Sequence, residues 1–293
     1  MINSGEYIAI DKEMKRLLHD RTNLLKKIWG GLLALSTFLV ILFVILFPNQ
    51  FNEPGTAWIL PTYGGIAFVV TLIGFLVSMG YQSEKPYYEY LFKELFEKIN
   101  LDEGLYLTYT PYDKEAKEFN KVGGLFTRYA SVKTKRHVSG VTEEQIPFDI
   151  YDCTMITSNG KSSVTHFDGT YFVLHKNVNT ILQVRTNGSP NLKGMSYSRL
   201  KEFNTVKVYK QEDALMTSVD GAFITFIERL REEEQYSKIF LSVVDGEIHL
   251  GLWYRKNPGR KRNDLTIDSV NRYYQYFKSE LQLLEQLSQI GMY

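Results

Sequence analysis

The chain has 293 residues, with 34 Lys plus Arg against 33 Asp plus Glu and a formal net charge of +1. That balance excludes a histone-like polycation and an acidic tail protein, and 21 Gly with 8 Pro exclude a collagen-like or linker-dominated chain. The single cysteine, Cys153, excludes an intramolecular disulfide framework and any multi-cysteine zinc site.

In chain order, residues 1–27 read as a cytoplasmic amphipathic segment. Met14, Leu17, Leu18, Arg21, Leu25 and Ile28 recur at three- and four-residue spacing, which predicts a helix. Ile28–Phe47 carries no charge and matches the roughly 20 apolar residues that cross a bilayer core. Ala57–Met79 is a second such run, so residues 28–47 and 57–79 are expected to be transmembrane helices, with 48–56 a short external loop. Trp29 and Trp58 stand at the start of each run, where an indole suits the headgroup level. Cations precede the first run and follow the second, while the loop has none, so both termini are expected inside a multi-pass cell-membrane protein. Neither run holds Asp, Glu, Lys, Arg or His, which favours an anchor over a conduit; Ser36, Thr37, Thr62, Thr71 and Ser78 are candidates for bonding between the helices. Residues 84–99, with Tyr88, Leu91, Phe92, Leu95, Phe96 and Ile99 on one stripe, are expected to form a juxtamembrane helix.

From about Leu105 the period shortens, and residues 103–293 are expected to form a cytoplasmic α+β domain, mainly antiparallel β with flanking helices. Leu105–Thr110 is a short strand, and Lys114–Phe119 a polar helical stretch. Phe148–Thr157 and Ser163–Leu174 pair as a hairpin, with Gly169 a bulge candidate. Thr180–Thr186 and Thr205–Tyr209 add strands. A helix from Ser218 to about Arg231 presents Val219, Phe223, Phe226, Ile227 and Leu230. Lys238–Val244 and Ile248–Tyr254 flank Asp245-Gly246, a strong hairpin signal, and a last helix spans Ser269 to Ile290.

Three stretches, Phe119-Asn-Lys-Val-Gly-Gly-Leu-Phe126, Val138-Ser139-Gly140 and Phe167-Asp-Gly-Thr-Tyr-Phe172, occur in this order. With Glu202-Phe203, Val206-Lys-Val-Tyr209, Asp213-Ala-Leu-Met-Thr217 and the Asp245-Gly246 hairpin, the region 84–255 resembles the bacterial domain-of-unknown-function family 3137. The resemblance implies two membrane spans ahead of a cytoplasmic domain and brings no established activity. At Lys135-Arg136-His137 this chain is basic where the family pattern leads one to expect an acidic pair.

Chemistry is sparse. Gly160-Lys161-Ser162 resembles the end of a phosphate-binding loop, but Met155 stands where its first glycine belongs. His166 and Asp168 make one short pair without a third ligand, and His19, His137, His175 and His249 read as solvated or hydrogen-bonded. Cys153 reads as a buried thiol. No catalytic, cofactor or metal residues are assigned. The feature with a partner signature is the basic run Arg255, Lys256, Arg260, Lys261 and Arg262 around a Pro-Gly turn. The sequence therefore predicts a membrane-anchored interaction or scaffold module docking anionic lipid or an acidic partner, with a protein partner or homo-oligomer and no nucleic acid. A membrane-tethered enzyme would need Asp149, Asp152, His166 and Asp168 to converge in one pocket, and an oligomeric two-helix channel subunit would need ion flux.

Overall fold

A computed structural model describes residues 2–46, 68–75, 85–111, 116–126, 129–158, 160, 162–178, 181–186, 190, 196–202, 206–211, 221–233, 235–255 and 266–290. The chain divides into two compact units, residues 3–92 and residues 1–2 with 93–293.

In the first unit, helix α1 (Ser4–Leu46) starts on a reciprocal cap. Glu6 N–H donates to Asn3 Oδ1 and Asn3 N–H to Glu6 Oε2, each at 2.9 Å. A helical stretch over 68–75 packs on α1: Ser36 Oγ lies 3.2 Å from Thr71 Oγ1, and the Trp29 ring fills the place where Gly74 has no side chain. The two expected membrane helices are corrected here. The first uncharged run is the back end of a helix whose front half is charged. In the second run the described helix covers only 68–75. Among the described residues no helix is long and apolar enough to cross a membrane. The transmembrane hairpin, the integral membrane partner and the multi-pass membrane location are therefore withdrawn. Leu32, Leu35, Phe38 and Leu39 of α1 are exposed.

The second unit is built on one sheet. Helix α2 (Lys85–Glu103), of which residues 93–103 belong to this unit, leads into β1 (Thr108–Thr110), α3 (Ala116–Gly123), β2 (Ser131–Val141), β3 (Pro147–Ser158), β4 (Ser163–Leu174), β5 (Leu182–Arg185), β6 (Tyr197–Glu202) and β7 (Lys207–Gln211). Then come α4 (Gly221–Glu232), β8 (Tyr236–Val244), β9 (Glu247–Tyr254) and α5 (Ile267–Gln289). The strand order is β1-β2-β3-β4-β9-β8-β5-β7-β6, and every pairing is antiparallel. At the β8–β9 turn both Asp245 and Gly246 take positive φ, the twist a two-residue hairpin needs.

Register makes the two faces chemically different. Val138, Ile150, Phe172, Leu250, Leu241, Val184 and Val208 stand side by side across seven strands, all buried. This apolar face carries α5, whose N-cap Thr266 accepts from Ser269 N–H at 3.3 Å. Lys176 Nζ donates to Ser288 O and, at 2.9 Å, to Ile290 O, satisfying carbonyls at the far end of α5. On the opposite face Leu125 and Phe126, just after α3, pack with Tyr151, Cys153, Met155, Phe167, Tyr171, Val173 and Phe240. Of the four register shifts among the described residues of the sheet, the two in β2 and β4 adjust the alternation here. The shift between Met155 and Ile156 leaves His166 as the extra residue, so Gly169, the bulge candidate, sits in regular register opposite Cys153 and Trp253. The other shift leaves Lys135 unpaired between Thr134 and Arg136. That one extra residue turns Arg136 toward the α5 face and His137 toward the α3 face.

Candidate functional site

On the α3 face six side chains from four segments form one continuous polar chain. His137 on β2 donates from Nε2 to Asp149 Oδ1 on β3 at 2.6 Å. Asp149 Oδ2 accepts from His175 Nε2 at 2.9 Å, and His175 Nδ1 donates to Glu247 Oε1 on β9 at 2.8 Å. Glu247 Oε2 lies 3.1 Å from His249 Nε2, and His249 Nδ1 lies 3.1 Å from the Tyr171 hydroxyl on β4.

The donor and acceptor inventory fixes the protons. Ionised carboxylates only accept, so both His175 nitrogens must carry hydrogen and the ring is an imidazolium. The His249 Nδ1 and the Tyr171 hydroxyl are hydrogen-bond partners whose donor is set by the imidazole tautomer. His249 is fully buried and the His137 ring stacks on Tyr151 at 4.4 Å between centroids. The hydrogen bonds to Asp149 and then Glu247 hold His175 up at about 9. The Glu247 carboxyl is held down at about 2 by the bonds from His175 and His249. Burial alone would raise Asp149, but the bonds from His137 and His175 outweigh it and the carboxyl sits below its usual range. At neutral pH the chain thus holds one shared proton charge between two carboxylates and clamps β3 to β9 across β4.

A stability profile checks this assignment. The folded-state value of His175 lies above its ordinary 6.5. Its contribution is therefore full below about pH 6.5 and is lost as pH rises through about 9. Allowing for partial exposure, the loss is about 2 kcal/mol. Urea midpoints of wild type and His175→Gln between pH 6 and 10 should converge as pH rises. Parallel profiles would show that His175 is not charged between its carboxylates.

The α5 face holds a second constellation. Arg136, 1% exposed, meets Glu280 of α5, 3% exposed, through Nη1–Oε2 at 2.7 Å and Nη2–Oε1 at 3.0 Å. Thr170 Oγ1 donates to Glu280 Oε1 at 2.8 Å, and the Arg136 guanidinium carbon lies 4.4 Å from the Phe277 ring centroid.

The expected sites fall differently. Arg255 is exposed; its N–H donates to Gln235 O at 2.9 Å and its Nε to Tyr236 O at 3.4 Å. Lys256, Arg260, Lys261 and Arg262 lie outside the described residues. The four residues required for an enzyme pocket do not converge. Asp149 faces α3, while Asp152 and Asp168 register with the α5 face; Asp168 accepts from Thr154 Oγ1 at 2.9 Å, and His166 at its bulge pairs with Thr157 at 3.0 Å. Cys153 is buried, and burial pushes its thiol far above the usual range, so it stays protonated. Among the described residues no group of three or more His, Cys, Asp or Glu is placed to hold a metal ion. The histidine–carboxylate chain was not legible as a site because every link but Glu247–His249 joins residues 12 to 78 positions apart that meet only through strand order.

No family model matches the chain, and no curated protein does. Among solved structures it is similar to the mycobacterial trehalose monomycolate transport factor A. The identity is 14% over 63% of this chain and 90% of that one, with a TM-score of 0.34. A likeness of that size carries nothing about activity.

Proposed function

We propose that the chain is an interaction module that docks an acidic protein partner through the basic run Arg255, Lys256, Arg260, Lys261 and Arg262. What supports this reading is a contrast in how charge is placed. In the second unit His137, Asp149, His175, Glu247 and His249 answer one another, as do Arg136 and Glu280. The run instead places five cations within eight residues directly after β9, with no acid among them. Such a patch steers an acidic partner and makes association salt-dependent.

In-cell crosslinking with mass spectrometry of the intact protein tests the reading. Crosslinks from Lys256 to a partner with an acidic surface are expected, and should disappear in the triple variant R260E/K261E/R262E. Binding of the recovered partner should weaken as salt rises. Recovering only contacts between copies of the chain overturns the reading. Preferential binding to anionic over neutral vesicles, lost in the triple variant, would reassign the run to lipid headgroups.

A further inference from the structure

Arg185, at the end of β5, is 5% exposed, yet every group it bonds is neutral. Its Nε donates to Gln183 Oε1 at 3.2 Å, and its Nη2 to Leu125 O at 2.9 Å and to Gly124 O at 3.5 Å. The equally buried Arg136 has Glu280 against it, so the fold can supply a counter-ion where one is needed. Burial draws Arg185 down to about 10, and the groups that feel its charge are the phenols Tyr197 and Tyr209.

Register adds a second, independent anomaly. The β5–β7 pairing sets Lys207 directly opposite Arg185, so a half-buried cation faces a buried one on the same side of the sheet. Like charges directly opposite are unfavourable, and a buried charge without a counter-charge is costly. Among the described residues neither cation has a carboxylate within ion-pair range. Tyr209, two residues beyond Lys207, shares its face, and the register places Tyr197 there as well.

We infer that Arg185 and Lys207 form an anion-binding site on the α3 face of the β5–β7 pair, taking a phosphate or carboxylate group. Nε and Nη2 of Arg185 are already bonded, so the Nη1 end of the guanidinium supplies the donors to an oxyanion, and the Lys207 ammonium supplies a second positive arm from the neighbouring strand. The intramolecular alternative is Glu202, which the register sets opposite Lys207 on β6. The site is separate from the run at 255–262, and its failure leaves the acidic-partner reading untouched.

Thermal unfolding and titration calorimetry of the full chain test it, with inorganic phosphate and acetate as probes and ionic strength held by sodium chloride. A saturable rise in Tm with phosphate or acetate is expected for wild type. In Lys207→Gln the affinity should fall about tenfold while the probe-free Tm holds or rises, because a like charge opposite Arg185 is removed. A preference for phosphate assigns a phosphate ligand, a preference for acetate a carboxylate, and equal saturable binding of both supports the site for either. Identical Tm in phosphate, acetate and chloride overturns the inference, as does the same anion effect in wild type and Lys207→Gln. If Glu202 is the counter-ion, Glu202→Gln alone will lower Tm and create an anion response that wild type lacks, which overturns it too.

Discussion

Replacing Glu280 with Ala is expected to destabilise the second unit by about 3–5 kcal/mol, because it strands the Arg136 guanidinium without its partner in a buried site. Arg136 is 1% exposed and enclosed by Phe277 at 4.4 Å and by the Phe96 and Tyr276 rings at 5.9 Å, so it cannot turn to water. The same change frees Thr170, which donates to Glu280 Oε1 and also contacts the Tyr254 and Tyr276 hydroxyls at 3.1 and 3.0 Å. Burial pushes the Glu280 carboxyl up, and Arg136 pulls against that rise. The energy therefore lies mainly in not breaking the pair. Removing both charges together, as Arg136→Met with Glu280→Met, should recover most of the loss. Urea denaturation of the two single variants and the double variant measures the coupling. A double variant as unstable as the sum of the singles would mean that the two groups do not act as a pair.

Gly169→Ala is expected to cost about 4 kcal/mol or prevent folding. A methyl group there would stand 2.0 Å from Leu252 O and 3.1 Å from Trp253 Cα. Both obstacles are backbone of the neighbouring strand β9, so no rotamer change relieves the clash and the strands would have to part. Gly221→Ala at the start of α4 is the control, because nothing lies within 4 Å of its added methyl. Near-ultraviolet circular dichroism and the denaturation midpoint compare the two. A Gly169→Ala protein with the wild-type midpoint would mean that the β4–β9 approach is looser than described.

Much of the sheet and the last helices were legible because their apolar positions repeat at the period of the element. Phe148–Thr157 was read within one residue of each end of β3, and the buried Phe223, Phe226, Ile227 and Leu230 of α4 were named from spacing alone. Strand β2 was not read, although it is 11 residues long. Its Lys133, Lys135, Arg136 and His137 look like solvent-facing charge, and only the partners Glu280 and Asp149, far away in the chain, make two of them interior residues. The stretch Phe167–Phe172 was noticed as a pattern without a reason. The reasons are separate: Phe167 packs on Phe126, Gly169 admits Leu252 O, Thr170 bonds Glu280 and Tyr171 contacts His249. The apolar runs at 28–47 and 57–79 misled in the other direction: they were read as membrane spans from their absence of charge, and among the described residues no helix is long and apolar enough to cross a membrane.

The strand order has a consequence for how the protein is made. Strands β2, β3 and β4 are consecutive and can pair as they leave the ribosome, but the outer edge of β4 has to wait for β9. Between Leu174 and Glu247 the ribosome must deliver β5 to β8 and the helix α4, an interval on the order of ten seconds. Throughout it, a strand whose Tyr171, Phe172, Val173 and Leu174 end up fully buried presents open backbone hydrogen bonds to whatever is nearby. Slower synthesis or reduced chaperone supply over those residues is then expected to lower the yield of folded protein.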